Sequence, residues 1–169
     1  VVHETPSTAV VDGDSGLGLV VAPKAMEIAI EKARVAGTGW VAVRNSNHFG
    51  IAGHHAMMAL KHDMIGMSMT NASPLVAPTW SVERLLGTNP IAVAIPAGEQ
   101  PPFVADFATT TAANGKLEIL QRKNALAPVG WIQDKDGAPS INPDELKFGG
   151  ALIPLGSDRE HGSHKGFCL

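Results

Sequence analysis

A histidine set among amide and hydroxyl side chains, in Asn45-Ser46-Asn47-His48-Phe49-Gly50, is the part of this chain best equipped for proton chemistry. An unperturbed imidazole titrates near pH ~6.5, so His48 can exchange a proton at neutral pH. Asn45, Ser46 and Asn47 could fix its tautomer and hold a substrate oxygen. The plainer alternative is a turn-capping side chain. The segment follows an apolar run and precedes a helical pattern, which places it where ligands bind in α/β sheets, beyond the carboxyl end of a strand.

His54, His55 and His62 do not have the one-turn spacing of paired helical zinc ligands, and no cysteine pair compensates. They read as surface or packing histidines, with no metal expected. Ser46, His48 and Asp106 are the residue types of a hydrolytic triad, but Gly-x-Ser-x-Gly is missing and Ser46 lies too close in sequence to its own base. Gly13-Asp14-Ser15-Gly16-Leu17-Gly18 fails the Gly-x-Gly-x-x-Gly spacing and reads as a plain turn. Asp106-Phe107-Ala108-Thr109-Thr110-Thr111 sits at a strand-to-helix junction. There it could cap the helix or offer N–H groups and hydroxyls to phosphate or ribose oxygens. Gly162-Ser163-His164-Lys165-Gly166 places a cation between glycines, either for an anionic ligand or simply for solvent.

The elements that must position these residues follow from periodicity. A short apolar run ending at Val11 is followed by a turn over Asp12–Gly16. Pro23 as a first helical residue and Gly37 as a stop predict a helix of about 14 residues. Strands are predicted at Trp40–Val43, Met64–Thr70, Ile91–Ile95 and Phe103–Ala105. Helical segments are predicted at Ala52–Lys61 and from about Thr111 to Arg122. The proline- and glycine-rich stretch beyond is expected to be surface loop or a small hairpin. Strand–helix–strand alternation makes this an α/β fold with a mixed sheet and flanking helices.

Composition narrows the class. Hydrophobic content of 44% with 17% charged residues is globular. A net charge of −3 leaves no electrostatic footprint for nucleic acid or an anionic membrane. No apolar run is long enough to span a bilayer, and no signal-peptide pattern opens the sequence. A lone cysteine, Cys168, fits a reducing compartment and a cytoplasmic location.

Taken in order, several segments resemble the family of NAD(P)-dependent malate/L-lactate dehydrogenases that lack a Rossmann domain. They are Val11 to Gly18, Asn45 to Gly50, Leu86-Gly87-Thr88-Asn89-Pro90, Asp106 to Thr110, Gly130-Trp131 with Asp136-Gly137, and His164-Lys165-Gly166-Phe167. The resemblance implies a non-Rossmann α/β fold and hydride transfer between NAD or NADP and a small 2-hydroxy or 2-oxo acid. It implies His48 as proton donor and acceptor, and Asp106, Phe107, Ala108, Thr109, Thr110, His164 and Lys165 at the cofactor. Ser46, Asn71 and Ala72 are implied at the substrate, with a homodimer sharing its active sites. The family's earlier Ser-His-Gly motif and the arginine after it are absent from the sequence, as is its C-terminal portion. Residues 1–169 are therefore expected to form one NAD(P)-binding and catalytic region, incomplete at both ends. The competing reading is a non-catalytic ligand-binding protein on the same scaffold.

Overall fold

Val10, Val11 and the β-branched run at Trp40–Val43 build the first strand pair. β1 (His3–Glu4) pairs antiparallel with β2 (Thr8–Gly16), and β2 pairs in parallel with β3 (Trp40–Ser46) across the connecting helix α1 (Gly18–Ala36). The computed structural model describes residues 1–169 and divides them into two compact units. One holds Val1–Met69 with Ile91–Asp106, the other Thr70–Pro90 with Phe107–Leu169.

In the first unit, β2 does not stop at Val11 for a turn. It runs on to Gly16 through a register shift between Asp12 and Gly16, with Asp14 and Ser15 in left-handed conformation. The Asp12 carboxylate accepts the Asp14 N–H at 3.0 Å and closes that bulge. The helix also begins earlier than predicted. The Leu17 carbonyl accepts the N–H groups of Val20 and Val21, so Pro23 falls inside the helix and removes one intrahelical bond. Gly37 ends it as expected, with φ 82° and its N–H on the Ala33 carbonyl.

α2 (Ala52–Met57) continues as a 3₁₀ turn over Met58–His62, together covering the predicted helical segment. It packs on a second sheet of order β4 (Gly66–Met69), β5 (Ile91–Ile95), β6 (Phe103–Phe107), whose β4–β5 pair is antiparallel. The core here is made of alanines 52, 56, 92 and 94 with Phe49 and Leu60 against them. Gly66 explains the small residues. A Cβ there would lie 1.9 Å from the Ala56 carbonyl oxygen, so helix and strand meet almost backbone to backbone.

The second unit is built on larger side chains. β7 (Ile132–Gln133) lies between β8 (Pro139–Ser140) and β9 (Ala151–Leu152), antiparallel to both. Val76, Leu117, Ala127, Ile132 and Leu152 form its core, Leu117 coming from α3 (Asn114–Arg122). The predicted hairpin forms around Asp134–Ala138, but it is no surface feature, because Ile132 is fully buried. α3 starts later than Thr111 for a backbone reason: the N–H groups of Thr109 and Thr111 are held in extended pairing by the Thr88 and Ile153 carbonyls. The chain ends in a short helix, α4 (Ser163–Cys168). No helix is long and apolar enough to cross a membrane.

Candidate active site

The His48 loop is held by the strand end beside it. Asn45 has φ 50° and its side-chain amide donates to both Asp12 carboxylate oxygens, at 3.3 and 3.2 Å. Arg44 Nε donates to Asp12 Oδ2 at 2.9 Å. The Asp14 N–H, the Asn45 amide and Arg44 together hold the Asp12 carboxyl below the usual carboxylate range, the backbone bond contributing most. Asn47 is fixed twice: its N–H donates to the Gly16 carbonyl at 3.1 Å and its Nδ2 to the Ser15 carbonyl at 2.6 Å. Gly18 lets the loop sit this close, since a Cβ there would be 2.3 Å from the Asn47 carbonyl oxygen.

The segment read as a plain turn is therefore the seat of the His48 loop. Asp12, Asn47 and Gly18 position it; Asn47 was read as acting on the imidazole directly, and Asp12 and Gly18 lay in the segment read as a turn. The usable signal was that Val11–Gly18 and Asn45–Gly50 occur together among the segments that resemble the family.

His48 itself is exposed. Its Nδ1 accepts the Gly50 N–H at 3.0 Å, and its Nε2 makes no hydrogen bond within the protein. A neutral ring with Nδ1 so occupied carries its proton on Nε2 and offers it outward. Ser46 ends β3 opposite Gly16 and is also exposed.

Asp106 lies inside β6 rather than at a junction with α3, and neither it nor the threonines cap that helix, whose N-cap is Ala113. Asp106 Oδ2 instead accepts the Gly53 N–H of α2 at 2.7 Å. Oδ1 has no protein partner.

In the second unit, Phe107 is exposed while Thr109 and Thr110 are buried. Their hydroxyls donate to the carbonyls of Thr88 and Ala112. The hydroxyl protons expected to meet a ligand are thus already used. The Ala72 N–H donates to Asn89 Oδ1 at 3.1 Å, and the Asn71 side chain is exposed beside it. Gly162-Ser163-His164-Lys165-Gly166 is not an open glycine loop but the start of α4. Ser163 is fully buried with its hydroxyl 2.8 Å from that of Thr79, and Lys165 is exposed. His164 borders a cavity of about 420 Å³ with Trp80, Arg159 and Phe167 among its walls. The Arg159 guanidinium sits 5.3 Å from the centre of the Trp80 ring.

His55 is buried, His54 is exposed, and His62 Nδ1 lies 2.5 Å from the Arg34 guanidinium. No three His, Cys, Asp or Glu side chains are grouped to hold a metal ion.

The chain is 53% identical to a malate dehydrogenase of Pyrococcus abyssi over 170 aligned residues, covering all of this chain and 47% of that protein. It is 47% identical to an L-sulfolactate dehydrogenase of Methanocaldococcus jannaschii, covering 96% of this chain and 46% of that protein. Among solved structures, the malate dehydrogenase of Entamoeba histolytica superposes with a TM-score of 0.92 at 43% identity, covering 99% of this chain and 48% of that one. The M. jannaschii sulfolactate dehydrogenase structure gives 0.83 at 46% identity, covering 100% and 47%. The chain thus spans about half the length of the relatives it matches. The family model described as malate/L-lactate dehydrogenase matches residues 1–169 from end to end, and the chain belongs to that family.

Proposed function

We propose that the protein is an NAD(P)-dependent oxidoreductase that transfers a hydride to or from C2 of a small 2-hydroxy or 2-oxo acid of the malate or lactate type. The observation that carries this reading is His48: an exposed imidazole on a braced loop, with Nδ1 occupied by the Gly50 N–H and Nε2 free. Residues 1–169 act as one cofactor-binding and catalytic region, in a cytoplasmic homodimer that shares its active sites.

The residues present fit a nicotinamide dinucleotide in part. Asp106 has one carboxylate oxygen unengaged, suited to a ribose hydroxyl. Lys165 offers a cation, and His164 borders a cavity with an aromatic wall and a guanidinium. Phe107 presents an exposed ring, while Ala108, Thr109 and Thr110 contribute backbone and shape more than hydroxyl donors. When bound, the nicotinamide ring supplies or receives the hydride.

The protein's own part is orientation and proton transfer. His48 Nε2–H donates to the carbonyl oxygen of the 2-oxo acid and polarises it. As that oxygen gains negative charge, Nε2 gives up its proton, and Nδ1 takes one from solvent as the Gly50 N–H moves off it. Oxidation reverses both movements: Nε2 accepts the hydroxyl proton as Nδ1 releases its own. Ser46, Asn71 and Ala72 border the substrate.

A positioned acid/base contributes about 10²–10⁴-fold. His48→Asn in the full-length protein should therefore lower turnover by about 10²–10⁴-fold, followed as NADH or NADPH absorbance with malate, lactate and sulfolactate, while nicotinamide binding stays near wild type. Wild-type turnover in that variant overturns the assignment.

A further inference from the structure

One peptide group joins two histidines. His55 is only 1% exposed, and its Nε2 lies 2.8 Å from the Phe49 carbonyl oxygen. That oxygen can only accept, so Nε2 of His55 carries a proton. Its Nδ1 is buried and has no hydrogen-bond partner. The other end of the same peptide, the Gly50 N–H, donates to His48 Nδ1 at 3.0 Å. The His55 ring also stacks on Phe49, with centroids 5.0 Å apart and planes 26° apart, which keeps it in place.

An orphaned buried nitrogen is costly. A phenylalanine would fill the same space against Phe49 without that cost. What the imidazole adds is its single bond to the Phe49 carbonyl.

We propose that His55 is a positioning residue that acts through the Phe49–Gly50 peptide to hold His48 in the tautomer with its proton on Nε2. A donor on a peptide oxygen polarises the group and strengthens its N–H as a donor. The same contact fixes the plane of the peptide, and with it the direction of the Gly50 N–H. Two hydrogen bonds in series thus run from His55 to His48. With the proton on Nε2, His48 donates to a carbonyl oxygen; in the opposite tautomer Nε2 would accept from a substrate hydroxyl. His55 therefore biases the site toward the 2-oxo acid. This consequence rests on His48 being the proton-exchanging group proposed above, whereas the tautomer itself does not.

The test uses the full-length protein with ¹⁵N-labelled histidine, because imidazole nitrogen shifts separate the two tautomers. In the wild type, His48 Nδ1 should have the signature of a bare nitrogen. A protonated Nδ1 overturns the proposal without any variant. In His55→Phe the Nδ1–H form of His48 should gain population. The KM for the 2-oxo acid should rise about 3- to 10-fold, the effect of one net hydrogen bond, while that for the 2-hydroxy acid does not rise. His55→Gln, whose amide can donate to the same carbonyl, should restore both readouts. A folded His55→Phe protein with an unchanged His48 tautomer overturns the relay. A shifted tautomer with all kinetic constants unmoved supports the relay and overturns the catalytic role of His48.

Discussion

Each of the two units of this chain has its own kind of core. The first packs alanines 52, 56, 92 and 94 at the interface of α2 and its sheet, with Gly66 letting backbones touch. The second packs Leu117, Ile132, Leu152 and Val76 at full or nearly full burial. A core of alanines buries little area per residue, at about 25 cal/mol per Å² of apolar surface. Its stability depends on close approach and on hydrogen bonds rather than on large side chains. The His48 loop belongs to that first unit, and accordingly it is braced by Asp12, Asn47 and the Gly50 N–H. The proposed proton-exchanging histidine thus sits where backbone geometry is set by polar contacts, while the other unit has the larger apolar core.

If this contrast is right, the two units should fail under opposite substitutions. Leu117→Ala removes a fully buried side chain and should cost about 2–5 kcal/mol in urea denaturation. Ala56→Gly, equally buried, should cost only about 1 kcal/mol. Adding one methyl reverses the order. Gly66→Ala puts a Cβ against backbone oxygen, which cannot give way as a side chain can, and should cost about 1–3 kcal/mol or more. A harmless Gly66→Ala, or an Ala56→Gly as damaging as Leu117→Ala, would break the distinction.

The same contrast explains what could be read from sequence. Alternation and turn residues located β3, β4, β5 and β6 but not the two-residue strands β1 and β9, and the ordered motifs identified the family. Local chemistry singled out His48 and its loop without deciding between a proton-exchanging and a turn-capping role. The errors cluster where a distant backbone contact decides the outcome. Thr109 and Thr110 look like cap residues, yet the Thr109 N–H is paired to Thr88 and both hydroxyls are turned onto carbonyls. Asp106 looks like a cap of the following helix, but it accepts from Gly53, 53 residues earlier. Asp12–Gly18 looks like a turn because its glycines and aspartates are turn formers, and only the pairing with β3 shows a bulged strand. Ile132 looks like part of a loop because prolines and glycines surround it, although it is fully buried.

A smaller effect tests whether hydrogen bonds brace the site loop. Asn47→Ala deletes the Nδ2 contact to the Ser15 carbonyl and leaves the backbone bond to Gly16 in place. Stability should fall by about 0.5–1.5 kcal/mol, the net worth of one such bond. Turnover should fall more than KM changes, because the loop rather than the ligand contacts is loosened. Unchanged amide hydrogen exchange across residues 45–50 would show that Asn47 does not brace the loop.

The smallest effect concerns acid. Asp12 is held below its usual 3.8 first by the Asp14 N–H, then by the Asn45 amide, with Arg44 adding to both. A carboxylate depressed in the folded state contributes stability that is fully present above its unfolded value and is lost as pH falls through the lower folded value. The window therefore lies below pH 3.8. Asp158 in the other unit is depressed in the same direction by the His161 N–H and imidazole, so both units share the sign. They differ in what the carboxylate holds. Asp158 reaches only three residues along its own turn, whereas Asp12 ties the β2 bulge to Arg44 and Asn45 on β3. Protonating Asp12 should therefore disturb the His48 loop, and protonating Asp158 should remain local. The Asp14 and Asn47 amide resonances should titrate together with a midpoint below 3.8 and lose that step in Asp12→Asn. A midpoint at or above 3.8, or an Asn47 amide that ignores the titration, would leave the loop braced by Asn47 and Gly18 alone.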